Sequence, residues 1–154
     1  MPSLQPSIRL GRSADLAAVI APLKGVGLSA DDLTSARDLH LWVLEDEDDV
    51  VGVIGIERFG ASALLRSLAI APKHQRRGLG HQLVEQLERD VQHKGVEQLI
   101  LLTETAESFF RRIGYEVIDR RYVPEEVKQS AEFRSLCPAS AVCMTKSVLT
   151  WPPE

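Results

Sequence analysis

Residues Gln75-Arg76-Arg77-Gly78-Leu79-Gly80 bring two arginines and two glycines together in six positions, with no acidic side chain among them. An apolar run precedes them and a helical pattern follows. Glycine lets backbone approach a ligand without a Cβ in the way. The first N–H groups of a helix lack intrahelical partners and point toward negative charge. Arg76 and Arg77 add positive charge beside them. Such a corner suits a pyrophosphate. A P-loop would need G-x-x-x-x-G-K-[ST], and this stretch has neither the lysine nor the hydroxyl. A dinucleotide fingerprint would need a third glycine where Leu83 stands, and no acidic ribose partner is evident. What remains is Q/R-x-x-G-x-G after a strand, set against a plain glycine-rich turn with solvated arginines.

The elements around the corner follow from periodicity. Ser7–Gly11 reads as a short strand. Ser13 can cap a helix with Leu16, Val19, Ile20 and Leu23 inward, bent or ended by Pro22, and Ser29 with Asp32 resembles a weak capping box for a second short helix. His40–Glu45 and Val50–Gly60 read as two strands joined by an acidic turn, with apolar residues on both parities and so burial on both faces. Ala63–Ile70 is a third strand of this antiparallel run. Leu79, Leu83, Val84, Leu87 and Val91 fall at helical spacing, with Gly95 as C-cap. Val96–Leu102 is a buried strand. A short helix with Ala106, Phe109, Phe110 and Ile113 inward ends at Gly114. Tyr115–Val123 reads as a strand, Pro124–Ser130 as a helical turn and Ala139–Val148 as a last strand. The span Ala63–Leu102 is a strand-helix-strand unit, so its two strands should be parallel. The fold class is α/β (α+β): a mixed, mostly antiparallel sheet of about seven strands with helices on both faces, in one domain over residues 1–154 with loose ends at 1–6 and 150–154.

This element order, together with "LLRSLAIAPKHQRRGLG" and "AESFFRRIGYEV", resembles the GCN5-related N-acetyltransferases (GNAT). More narrowly, "LLTETAESFFRRIGYEVIDRRYVPEEV" and "EFRSLCPASAVCM" resemble two branches. These are the small acetyltransferases encoded with arsenic-resistance genes and the acetyltransferase domain of N-acetylglutamate synthases. The resemblance implies acetyl-CoA as cofactor. It also implies a backbone edge at Leu68-Ala69-Ile70 for the pantetheine arm, and a pyrophosphate cradle from Gln75, Arg76, Arg77, Gly78, Leu79, Gly80 and His81. His74 and His81 flank the loop within reach of phosphates, or are surface histidines.

For the chemistry, the amine must lose a proton to a carboxylate or similar base. Glu57, at the end of a buried strand beside the expected cleft, is the candidate as base or water anchor; its alternative is a rim ion pair with Arg58 or Arg66. Many family members use a tyrosine as the second aromatic of the later helix to protonate the leaving thiolate. Phe110 stands there, which leaves Tyr115, Ser108, Thr103 or water for that task, or a thiolate that leaves unassisted. Arg66 interrupts the apolar strand "ALLRSLAI" and, unless a bulge intervenes, shares a face with Leu64, Leu68 and Ile70. A buried arginine needs an anion. The synthase branch implies a substrate carboxylate, and the alternative is a structural bridge to Glu57 or to a C-terminal carbonyl.

These residues point to an acetyl-CoA-dependent N-acetyltransferase acting on a small amino-acid-like amine, glutamate or a toxic arsenical analogue. A non-catalytic acetyl-CoA-binding module and a protein N-acetyltransferase are the alternatives. A net charge of -4 and a pI near 5.6 argue against nucleic acid. No run is long enough for a membrane span, and "MPSLQPSIRL" lacks the pattern of a signal peptide. Two cysteines, Cys137 and Cys143, are too few for a disulfide framework, and a cytoplasmic location is the expectation. They could also bind trivalent arsenic, but two thiols without a third ligand make a weak metal signal, and no metal site is expected. A homodimer is left open.

Overall fold

The computed structural model describes residues 6–11, 39–47, 49–71, 74–75, 78–130 and 141–148. The helices expected between Ser13 and Asp32, together with Arg76, Arg77 and Cys137, lie outside the described residues. The strands are β1 (Ser7–Leu10), β2 (Leu39–Asp46), β3 (Asp49–Phe59), β4 (Ser62–Ile70), β5 (Gln98–Thr103), β6 (Glu116–Val117) and β7 (Val142–Ser147). The helices are α1 (Leu79–Gln92), α2 (Glu107–Arg112) and the single turn α3 (Glu125–Lys128). Among the described residues these strands form one sheet in the order β1-β2-β3-β4-β5-β7-β6. Every neighbouring pair is antiparallel except β4 with β5, which is parallel, as a strand-helix-strand crossover requires.

The sheet separates two apolar layers. On one face α1 buries Leu79, Leu83, Val84, Leu87 and Val91 against Trp42, Ile54, Ile56, Leu65 and Leu101. Each fully buried leucine there contributes about 1.5–3 kcal/mol. Trp42 Nε1–H donates to Asp90 Oδ2 at 2.7 Å, which fixes α1 against β2. On the other face Leu64, Ile100 and Cys143 pack with Val123 and Val127, the latter from α3. Central β3 is buried from Val51 to Glu57, in keeping with its apolar residues on both parities.

Two sequence expectations are corrected. The strand expected over Tyr115–Val123 is only Glu116–Val117. Asp119 ends it by accepting a hydrogen bond from Arg121 N–H at 2.9 Å, which starts a 3₁₀ turn over Arg120–Tyr122. Helix α1 stops at Gln92 with His93 as its cap, so Gly95 is not the cap but a left-handed turn residue (φ 85°) beyond it.

Candidate active site

Two irregularities of β4 open the sheet. First, β4 pairs with β5 only through Ser62–Gln98, Ala63–Leu99 and Leu64–Ile100. Beyond Leu64 the ladder ends, while β4 runs on to Ile70 and β5 continues along β7. Second, the register against β3 slips between Val53–Ala69 and Gly55–Arg66, so Ser67 and Leu68 together oppose Ile54. A bulge of this kind reverses the face that later residues occupy. Leu64 therefore packs in the α3 layer, whereas Leu68 and Ile70 pack in the α1 layer. The face shared by Leu64, Arg66, Leu68 and Ile70 in an unbroken strand does not exist: Arg66 keeps company with Leu64 alone.

A cleft of about 600 Å³ follows the end of β4 on the α1 side. Leu68, Ala69 and Ile70 form one wall, and Ala106, Phe109 and Arg112 of the α2 segment form another. Its end is closed by Gln75, Gly78, Leu79, Gly80 and His81. Gly78 caps α1 in the left-handed region (φ 76°), and a Cβ there would meet nothing within 4 Å, so the space over it is open. The first helical hydrogen bond within α1 runs from Gln82 N–H to the Gly78 carbonyl at 3.1 Å. The preceding N–H groups thus point out of the helix end, and its first turn carries no acidic residue. Ala71 N–H donates to Val51, so alternation turns the Ile70 main chain away from β3. Gln75 Nε2 donates to the Ile70 carbonyl at 2.9 Å and ties the loop to that edge. An anion-binding helix end, an open cradle and an apolar slot beside a free strand edge suit an elongated ligand with a pyrophosphate near one end.

His74 is buried, with Nε2 3.0 Å from Asp46 Oδ2. It joins the loop to the turn between β2 and β3 and is not a surface residue. His81 is half-exposed, 3.7 Å from Glu85.

Glu57 and Arg66 lie on the opposite face of the sheet from α1. Arg66 Nη1 donates to Glu57 Oε1 at 3.1 Å, and both side chains are buried. The pairing expected of Glu57 is thus with Arg66, while Arg58 turns to the carbonyls of Gly60 and Lys94. Arg66 stands two residues past the last β4–β5 pair, at the head of the opening.

The hydroxyl candidates fare differently. Tyr115 is enclosed in the core, where its hydroxyl donates to Glu88 Oε2 at 2.9 Å. Burial, followed by the Glu88 carboxylate, raises its pKa far above the ordinary phenol value. Its hydroxyl lies on Glu88 inside the core, and Tyr115 does not line the cleft. Ser108 is exposed on α2 and does not line the cleft, and the Thr103 hydroxyl is occupied in accepting from Ala106 N–H at 2.9 Å. Phe110 is buried edge-on between Phe109 and Tyr115, so it is Phe109 that walls the cleft. Arg112 was not anticipated from sequence; its position three residues after Phe109 was the available signal. Burial pushes the Cys143 thiol up to about 11, which keeps it protonated. Among the described residues no group of three or more metal-ligating side chains is present.

The family model of the acetyltransferase (GNAT) domain matches residues 37–117, just over half of the chain, and the chain belongs to that family. It is 26% identical to an uncharacterized N-acetyltransferase of Chlorobaculum tepidum, over 93% of this chain and 94% of that protein. Among solved structures it resembles the N-acetylglutamate synthase of Neisseria gonorrhoeae complexed with coenzyme A and N-acetyl-glutamate. There the TM-score is 0.78 and the identity 21%, over 96% of this chain but 36% of that one. The ribosomal-protein-S18-alanine N-acetyltransferase of Escherichia coli gives a TM-score of 0.76 at 18% identity, covering 95% of this chain and 96% of that one. The matched domain is an acetyltransferase domain, so the chain is an acetyltransferase of the GNAT family.

Proposed function

We propose that the chain transfers an acetyl group from acetyl-CoA to the amine of a small amino acid, glutamate or a toxic analogue such as an arsenical one. The observation that carries this is the buried Arg66–Glu57 pair at the head of the β4–β5 opening, across the sheet from the cofactor cleft. Bound acetyl-CoA supplies an activated thioester, so positioning can provide much of the rate. The first-turn N–H groups of α1 and the loop before it, Gln75 to His81, hold the pyrophosphate. Main-chain groups from Leu68 to Ile70 hold the pantetheine arm and polarise the thioester carbonyl. Arg66 binds the carboxylate of the amino acid in a charge-assisted hydrogen bond. Glu57, held beside it, takes the proton from the substrate ammonium, directly or through a water. The likeness to a synthase solved with N-acetyl-glutamate supports an amino-acid acceptor.

The test is Arg66→Lys, which keeps the charge and loses the fork geometry. KM for glutamate should rise about 10- to 100-fold, as expected for losing about 1.5–3 kcal/mol of charged hydrogen bonding. Its decarboxylated amine and acetyl-CoA should be nearly unaffected. Equal losses for both acceptors, with a lower Tm, would make the pair structural and remove the support for an amino-acid substrate.

A further inference from the structure

Gly52 of β3 is buried between two strands, opposite Leu44 of β2 on one side and Ile70 of β4 on the other. The hydrogen bonds to β4 fall on the adjacent pair, where Ala71 N–H donates to Val51 at 2.8 Å. Gly52 and Ile70 therefore form a non-hydrogen-bonded pair, in which side chains stand closest. Ile70 takes up the space that the glycine leaves: a Cβ at 52 would lie 2.8 Å from Ile70 Cδ1 and 3.3 Å from Leu44 Cβ and Cδ2. Carbon atoms pack at about 3.5–4.0 Å, so no side chain fits at 52 while Ile70 keeps this pose. Ile70 thus leans back over β3 at the edge of the cleft that it lines. Leu44 is fully buried and has no room to retreat, whereas Ile70 is only partly buried and borders open space. A side chain at 52 would turn Ile70 outward, into the slot.

Resting on the assignment of this cleft to coenzyme A, we infer that Gly52 is a positioning residue for the donor: its missing side chain lets Ile70 fold back and so sets the width of the slot for the pantetheine arm. Gly52 touches no ligand and acts through Ile70. The slot runs between the Leu68–Ile70 wall and the wall that carries Phe109. Packed walls do not yield freely, so one displaced methyl group is enough to obstruct a slender chain between them.

Calorimetry on the full chain tests this with coenzyme A, which has the arm, and adenosine 3′,5′-bisphosphate, which has only the nucleotide end. Gly52→Ala should weaken coenzyme A about tenfold, the scale of one overpacked contact, and leave the affinity for the nucleotide as it was. Ile70→Val removes Cδ1 alone, so Gly52→Ala made in that background should cost coenzyme A little; this coupling of the two positions is the signature of action through Ile70. Ile70→Phe changes a position that is only partly buried and fills the slot directly. It should weaken coenzyme A and spare the nucleotide, whether or not Gly52→Ala folds. An unchanged affinity for coenzyme A in folded Gly52→Ala or in Ile70→Phe overturns the inference. So does a loss that Ile70→Val fails to relieve, or an equal loss for the nucleotide, which would mark a general distortion of the site. Failure of the unsubstituted chain to bind coenzyme A would instead overturn the cofactor assignment itself, and is told apart because it needs no variant.

Discussion

Glu57 and Glu88 are both buried carboxylates with a cation about 3 Å away, yet they occupy different situations. Glu88 accepts from Tyr115 at 2.9 Å and from Lys146 Nζ at 3.0 and 3.1 Å. Lys146 also donates to the Ile113 carbonyl at 2.9 Å and lies 5.5 Å from the Tyr115 ring centroid. That network joins α1, the turn after α2 and β7, three elements distant in sequence. Glu57 and Arg66 belong to neighbouring strands, where one strand departs from the sheet. A buried carboxylate beside a cation is thus no sign of catalysis in itself. One such pair closes the core and the other borders an opening.

The difference is tested most strongly at Glu57. Glu57→Gln should reduce kcat about 100-fold or more, the usual contribution of a positioned base, with little change in the acetyl-CoA KM. The deficit should shrink as pH rises and the free amine becomes abundant. A deficit equal at every pH would give Glu57 a structural role like that of Glu88. The counterpart, Glu88→Gln, should lower stability by about 1.5–3 kcal/mol. At about 2–4 °C per kcal/mol for a chain of this size, thermal unfolding will register this clearly, while kcat/KM of the folded enzyme should hold.

The smallest effect is expected at Tyr115. Its raised pKa means that the native state keeps the phenol proton that the unfolded chain loses near pH 10. The associated stability is complete below that pH and declines as pH rises above it. Tyr115→Phe should cost about 1 kcal/mol at neutral pH, flatten the alkaline decline and leave turnover unchanged. A collapse of turnover would return Tyr115 to the chemistry and erase the contrast between the two regions.

The turn at Gly78 and the helix start after it were legible because glycine and helix periodicity act within a few residues. Most strands were legible because apolar runs are local, whereas the one expected over Tyr115–Val123 is cut short by the Asp119 turn. Two features were not. The bulge at Ser67 and Leu68 leaves no mark in "LLRSLAI", because whether a strand slips depends on what β3 presents to it. The inward turn of Tyr115 depends on Glu88, 27 residues earlier, and on Lys146, 31 residues later. A tyrosine after a helix-ending glycine looks the same whether such partners exist or not. Arg66 lay between: its need for an anion was readable from an apolar strand, and the choice of Glu57 required the register.

The slip in β4 has a consequence for how this enzyme can diversify. Before the slip the even-numbered Leu64 and Arg66 face the α3 layer, and after it the even-numbered Leu68 and Ile70 face the α1 layer, although a single strand carries both. A substitution at Arg66 acts on the α3 side, while the edge from Leu68 to Ile70 borders the cleft on the α1 side. Selection can therefore act on the two halves of one strand almost independently.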